Sequence, residues 1–358
     1  MINFMTQSYF LAFTGGQSYK SDDKFPILKK YLIHHGILQT DKFDTNLYIS
    51  VNHNSSLLKS FMKSKSRNKI TILIRLEPFV VFPAQYSKIV EEKYTLIVTP
   101  GSTRDFISSN FFIGWPHSFQ ENPANPETNS TSDHFQSEGQ SNDKLFEFWK
   151  KRKIVCSMIA ANKVSPIANT NYTLRRHIAM DSSPDLLEVF GPLWNESLYR
   201  KIVHRSKVAF FNIRHRTNIS FESIYGDLFK KYKTTKGFTK DKYSILKESK
   251  FSLVVENCMD YVSEKLFDAI YAGSVPIYVG PKLTDVGLPS NIAFQIDRCS
   301  INTLTSILNM EDENVSTYLD AGQKFLKGNQ YNDIWTEESV YAKIANKIVD
   351  QVEGRKCN

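Results

Sequence analysis

Thiols are scarce in this chain: 358 residues hold four cysteines, Cys156, Cys258, Cys299 and Cys357, with no CxxC pair. Their spacing does not suggest a zinc module, and free thiols in a reducing compartment are expected. No stretch reaches the roughly 18 consecutive apolar residues of a spanning helix. The first residues, MINFMTQSYFLAFTGG, lack the basic n-region and sustained apolar h-region of a secretory leader, and the expected location is the cytoplasm. The NxS/T sequons at Asn54, Asn129, Asn171, Asn195, Asn218 and Asn314 then read as chance in a chain rich in Asn and Ser. Zinc-finger, RNP-type and basic-zipper patterns are missing, and nucleic acid is not an expected partner. No repeat of fixed period is visible.

Core material, by contrast, is abundant. The chain is 41% hydrophobic and 13% aromatic, with 25 Phe and 17 Tyr, which excludes global disorder. At about 100–200 residues per domain, two or three domains are expected. The net charge of +8 includes Lys-rich stretches at residues 63–69 (KSKSRNK) and 150–153 (KKRK). Each reads either as a solvated loop or helix end, or as a contact for phosphorylated small molecules or an acidic membrane.

Strand-like runs at residues 46–51 (NLYISV), 70–76 (ITILIRL) and 94–99 (YTLIVT) alternate with helical patterns at 24–38 and 56–64. That alternation predicts a parallel α/β sheet. Residues 118–143 are polar and almost devoid of core-forming side chains, so a boundary is expected near 120–150. A helix at 144–151 and a strand at 153–160 reopen the fold.

Residues 251–281 form the clearest unit. A strand at 251–256 (FSLVVE) leads through a tight loop into a helix at 263–272, with Leu266, Phe267 and Ile270 on one side. Gly273 stands at the C′ position and a second strand follows at 275–279. This βαβ unit is right-handed in nearly all known cases. Ligands in such sheets bind beyond the carboxyl ends of the strands, which marks Glu256, Asn257, Asp260, Tyr261, Glu264 and Lys265. A phosphate there would meet the helix dipole and the Lys265 ammonium. Alternatively, Glu264 and Lys265 are a surface pair behind an Asp260 N-cap.

Residues 250–281, KFSLVVENCMDYVSEKLFDAIYAGSVPIYVGP, resemble the donor-binding signature of the α1,3/4-fucosyltransferases. The match runs through Phe251, Leu253, Glu256, Asn257, Asp260, Tyr261, Glu264, Lys265, Ala272, Gly273, Val275, Pro276, Gly280 and Pro281. Looser resemblances are the strand 154–162 ending at Asn162, an arginine in YTLRRHI (Arg175, or its neighbour Arg176), the segment 187–191 (LEVFG), and 236–242 (KGFTKDK) with Phe238. Upstream, residues 75–78 (RLEP) resemble the family's Glu-containing turn at the acceptor cleft. Glu77 is then either the general base or a cap before Pro78. Cys258 stands where the family has Ser, and the loop to Asp260 is shorter than usual, which puts the sugar preference in doubt.

The resemblance implies a GT-B architecture, two Rossmann-like α/β domains facing across a cleft. Residues 1–117 would bind the acceptor, 118–149 would be a polar linker, and 150–335 would bind the GDP-sugar. A helix within 336–358 would pack across the junction. The implied reaction is transfer of L-fucose from GDP-fucose to a hydroxyl of an N-acetylglucosamine-containing glycan, α1,3 and with inversion, by a microbial-type enzyme without an obligatory metal. Another GDP-sugar, or a non-catalytic sugar-nucleotide-binding protein, is the alternative. In this reading Glu77 deprotonates the acceptor and Glu264 bonds the fucose. Lys265 and Arg175 neutralise the diphosphate, while Asn162, Phe238, Asn257 and Tyr261 complete the donor site. The partners implied are GDP-fucose and an oligosaccharide or glycolipid acceptor. The basic segment 194–235 is expected to be helical, as a lid, as packing, or as a contact with an anionic membrane surface at the cytoplasmic face.

Overall fold

The computed structural model describes residues 8–13, 26–35, 38–39, 47–63, 69–99, 142–165, 167, 170–214, 221–297 and 300–354. The chain divides into two compact units, Met1–Pro116 with Asp333–Asn358, and His117–Asn332. Among the described residues no helix is long and apolar enough to cross a membrane. Residues 118–141, most of the expected linker, lie outside the described ones, as do Cys299 and Cys357. Cys156 and Cys258 are buried free thiols.

The first unit runs β1 (Ser8–Phe13), α1 (Pro26–His34), β2 (Leu38–Gln39), β3 (Leu47–Val51), α2 (Ser55–Met62), β4 (Ile70–Ile74), α3 (Lys88–Glu91) and β5 (Leu96–Val98). Its strands form one parallel sheet in the order β2-β1-β3-β4-β5. Both β3 and β4 are buried along their whole length, which is why each reads as an unbroken apolar run. Alternate side chains serve opposite faces. Leu47, Ile49, Val51, Ile70, Ile72 and Ile74 join one core, whereas Tyr48 and Leu73 join another with Leu58 and Phe61 of α2.

The second unit runs α4 (Asn142–Lys150), β6 (Ile154–Ile159), α5 (Tyr172–Asp181), β7 (Glu188–Phe190), α6 (Leu198–Arg214), α7 (Phe221–Tyr225), β8 (Thr235–Gly237), α8 (Lys242–Glu248), β9 (Ser249–Val255), α9 (Glu264–Tyr271), β10 (Val275–Val279), β11 (Phe294–Gln295), α10 (Ile301–Leu308), α11 (Asp312–Lys327) and α12 (Asn329–Ile334). Its six strands are parallel, in the order β11-β10-β9-β6-β7-β8. Counted within the unit, this is the doubly wound Rossmann order, and it reverses between β6 and β9. The final helix, α13 (Glu337–Gly354), returns to the first unit, where Val340, Tyr341, Ile344 and Ile348 pack with Leu28 and Leu32 of α1.

The βαβ unit at β9-α9-β10 forms as the sequence predicts. Ser263 caps α9, its side chain accepting from the Lys265 amide, so the cap is Ser263 rather than Asp260. Gly273 ends the helix at φ 68°, a left-handed conformation that suits glycine. The expected helical stretch at 194–235 resolves into α6 and α7, after which the chain enters β8.

Candidate active site

The crossover point of the second sheet lies between the carboxyl ends of β6 and β9, where an open α/β sheet leaves a crevice for ligand. On the β9 side, the loop after Val255 carries Glu256, Asn257 and Tyr261, and α9 opens with Glu264 and Lys265. Glu256 is completely buried, and its Oε1 accepts from the Ser263 amide at 2.8 Å. One carboxylate thus ties the strand end to the residue that caps α9. Its Oε2 has no hydrogen-bond partner among the described residues. Burial pushes this carboxyl above its ordinary range, opposed by Lys265 and by the Ser263 hydrogen bonds.

Arg175, from α5, reaches across to the same loop. Its guanidinium donates through Nε to the Val255 carbonyl at 3.0 Å and through Nη2 to Asn257 Oδ1 at 3.0 Å. It is buried, and burial pulls its pKa down. Arg176 points elsewhere: its Nε lies 3.1 Å from Asp227 Oδ1, in a buried cluster with Arg205 and the Tyr232 hydroxyl. Of the two arginines, Arg175 is the one joined to the β9 loop. Tyr261 is buried within that loop, and Cys258 is a buried thiol whose pKa burial pushes up.

Lys265 Nζ donates to Ser263 Oγ at 3.0 Å and lies 3.5 Å from Glu264 Oε1. Burial raises the Glu264 carboxyl, but Lys265 and Lys242 outweigh it and hold the group below its ordinary value. Its side chain still keeps 38% of its surface open to solvent, so it can meet a ligand as a carboxylate.

On the β6 side, Asn162 is buried. Its amide donates to Pro192 O at 3.0 Å and its Nδ2 to Leu193 O at 3.3 Å. The turn after β7 is therefore pulled against the end of β6. Gly191 permits this closeness, because a Cβ there would lie 2.3 Å from the Ala160 carbonyl oxygen.

A cavity of about 370 Å³ opens above these strand ends, lined by Ala160, Ala161, Gly191 and Pro192, by Phe238 to Tyr243, and by Lys265. Phe238 is 67% exposed at its wall. Lys240, Lys242 and Lys265 line one space, whereas Asp241 is occupied in capping α8 through the amides of Tyr243 and Ser244. An aromatic face beside clustered cations suits a planar base linked to a polyanion.

Sequence reasoning missed Asp268. Buried on α9, it accepts from Lys242 Nζ at 2.6 Å and from the Tyr243 hydroxyl at 2.7 Å, fixing one wall of the cavity. An acidic residue inside the apolar run KLFDAIYA was the available signal. Among the described residues no three His, Cys, Asp or Glu side chains are grouped to hold a metal ion.

Glu77 belongs to the first unit, in the turn after β4. Its amide donates to Asn52 Oδ1 at 3.3 Å, and its carbonyl accepts from Gln85 Nε2 and the Tyr86 hydroxyl, each at 2.9 Å. Arg75, two residues earlier, is buried against Glu91 at 2.8 Å and under the Tyr86 ring at 4.2 Å. The half-buried Glu77 therefore stands on a backbone held from several sides.

Residues 197–337 match the family model described as glycosyltransferase family 10 (fucosyltransferase), C-terminal. The resemblance read from the sequence is borne out, and the matched segment holds Phe238, Asn257, Tyr261, Glu264 and Lys265. A fucosyltransferase-like protein of Arabidopsis thaliana is 46% identical over 56 residues, 15% of this chain and 11% of the relative. The match thus spans about a tenth of that relative's length. A crystal structure of an α1,3-fucosyltransferase with GDP superposes with a TM-score of 0.51 at 13% identity, covering 99% of this chain and 92% of the other. The HepE protein of Anabaena, solved with UDP, gives a TM-score of 0.53 at 10% identity, covering 96% and 99%. These two likenesses establish the fold, and the GT-B class expected from the sequence is borne out with them.

Proposed function

Because residues 197–337 match the C-terminal model of glycosyltransferase family 10, we propose that this chain transfers L-fucose from GDP-fucose to a hydroxyl of an N-acetylglucosamine-containing glycan, forming an α1,3 linkage with inversion. The observation that carries the reading is the cavity at the carboxyl ends of β6, β7 and β8, with Phe238 at its wall and three lysines within. Guanine would lie against Phe238, and the diphosphate would sit among Lys240, Lys242 and Lys265 at the capped start of α9.

In the reaction, the acceptor oxygen forms a bond to C1 of fucose while the bond from C1 to the β-phosphate oxygen breaks. GDP leaves with that electron pair, and Glu77 takes the acceptor proton. Glu264, held ionised by its lysine neighbours, would hydrogen-bond the fucose and stabilise positive charge on its ring. Negative charge growing on the leaving phosphate is met by Lys265. Arg175 would act through Asn257, holding the donor loop in place, with Tyr261 buried within that loop and Asn162 holding the turn after β7 against the end of β6.

The test is acceptor-stimulated GDP release from GDP-fucose, with GDP-mannose and UDP-glucose as controls and N-acetyllactosamine as acceptor. Release confined to GDP-fucose, with a new α-linked fucose detected by NMR, supports the reading. Turnover of UDP-glucose alone, or nucleotide binding without turnover of any donor, would overturn it.

A further inference from the structure

Residues 198–233 hold nine Lys and Arg against two Asp and Glu, a surplus of seven in a chain whose whole net charge is +8. The same stretch contains six of the thirteen large hydrophobic side chains that stand exposed among the described residues. A merely solvated basic face has no need of exposed aromatics, and core-forming aromatics would be buried. The coincidence calls for a partner that is both anionic and apolar.

The two features share one surface. On α6, residues 199, 202, 206 and 210 recur at helical spacing and so lie on one face. Tyr199 is 75% exposed, Ile202 41% and Phe210 68%. The adjacent face anchors the helix: Arg205 is buried and bidentate to Asp227 at 2.9 and 3.1 Å, beside the buried Ala209. The segment around α7 extends the exposed side. The Tyr225 hydroxyl lies 3.3 Å from Ser206 Oγ, between Ile202 and Phe210, and the Phe221 ring stacks on Tyr225. At the other end Lys201 Nζ donates to the Lys230 carbonyl at 3.3 Å, bringing the exposed Phe229 to the first turns of α6. Arg200, Lys207, Lys230 and Lys231 are exposed around this patch. Of the two acidic residues, Asp227 is consumed by Arg176 and Arg205, leaving Glu222 alone to face outward.

We propose that this surface docks on an anionic lipid bilayer, its aromatic and aliphatic side chains entering the headgroup boundary while Lys and Arg meet lipid phosphates. Aromatic rings with lysines would also suit single-stranded nucleic acid. Exposed Leu198 and Ile202 have no stacking role there, whereas both gain by entering lipid. The docked face belongs to the unit that holds the cationic cavity, so binding would keep that cavity near a membrane-borne acceptor.

Vesicle flotation tests the proposal, using phosphatidylcholine with about one third phosphatidylglycerol against phosphatidylcholine alone. Two surface variants are compared, Tyr199→Ser/Ile202→Ser/Phe210→Ser and Lys207→Glu/Lys230→Glu/Lys231→Glu. Their folding is judged by thermal midpoint, so the outcome does not depend on the donor assignment. The parent chain is expected to float with anionic vesicles only and to be released by salt, and each variant to lose about tenfold or more in partitioning. Equal flotation with neutral vesicles, no loss in either correctly folded variant, or tighter retention on single-stranded RNA than on the anionic vesicles would each overturn it.

Discussion

Asn52 sits at φ 55°, a left-handed conformation that Asn tolerates better than most residues, and from there Oδ1 accepts from the amides of Leu76 and Glu77 at 3.1 and 3.3 Å. Replacing it with Ala removes the acceptor shared by both amides and adds backbone strain of about 1–2 kcal/mol. Asn52→Ala should therefore lower kcat for the proposed fucosyl transfer by about tenfold while KM for the donor changes little, because misplacing the proposed base costs rate rather than binding. Asn52→Asp, which keeps an acceptor oxygen, should stay close to the parent. Unchanged kcat in the alanine variant would mean that the Glu77 turn is held without this residue. Glu256 supports a pH prediction. Its folded pKa lies above the ordinary carboxylate value, so the folded state holds that proton more tightly than the unfolded state does. Its contribution is fully present below the unfolded pKa and is lost as pH rises through the folded one. In Glu256→Gln the thermal midpoint should gain on the parent between pH 5 and pH 8; a constant gap across that range would exclude an uphill ionisation. Glu256, Asn257 and Lys265 were legible as residues that follow a strand and open a helix. Asn52 was not, because its partners lie 24 and 25 positions away and nothing in VNHN announces them.

At the scale of elements, the segments with a strong period declared themselves. β9, α9 and β10 fall within two residues of where apolar spacing places them, because a buried parallel strand and a one-sided helix leave different repeats. β1 did not declare itself. SYFLAF contains no Val, Ile or Thr, and its place is set by pairing in parallel with β3, a contact between stretches more than 30 residues apart. The segment 194–235 was legible as helical and basic. The division into α6 and α7, and the pair between Arg205 of α6 and Asp227 just after α7, left no local pattern. Asp268 is the sharpest case of an element-level contact hidden in an apolar run. It links α9 to the start of α8 through Lys242 and Tyr243, so removing its carboxylate leaves an ammonium and a phenol without their shared acceptor. Asp268→Ala should destabilise the fold by about 2–3 kcal/mol, short of a fully buried pair because Lys242 remains partly solvated. GDP affinity should fall by about tenfold as the cavity wall loosens. Calorimetric titration with GDP checks the second part, and undiminished affinity would separate the Asp268 bridge from the binding site.

For the whole molecule, the sequence disclosed two α/β regions but not the order of their strands. Order depends on which distant segments pair, and the reversal between β6 and β9, beside which the cavity opens, is a property of the crossover alone. The path of the C-terminal segment is of the same kind. Its helical spacing through Val340, Ile344, Ile348 and Val352 is plain, but not which core receives them. In the structure α13 leaves the second unit and completes the first, where Val340, Tyr341, Ile344, Ile348 and Val352 are each at most 5% exposed. At about 1.5–3 kcal/mol for each large apolar side chain buried, these residues contribute roughly 8–15 kcal/mol before entropy is counted. That is comparable with the entire net stability of a typical domain, about 5–15 kcal/mol. A chain ending at Thr336 should therefore lose the first unit as a folded body, with rapid proteolysis within residues 26–99. The second unit, whose core draws nothing from α13, should still bind GDP. The single substitution Ile344→Asp, at a position with no exposure, should reproduce the same split in milder form. Limited proteolysis read by mass spectrometry, alongside GDP titration of the same samples, distinguishes the cases. Protection of residues 26–99 in the truncated chain would show that α1 and the sheet suffice, and simultaneous loss of GDP binding would show that the two units do not fold independently.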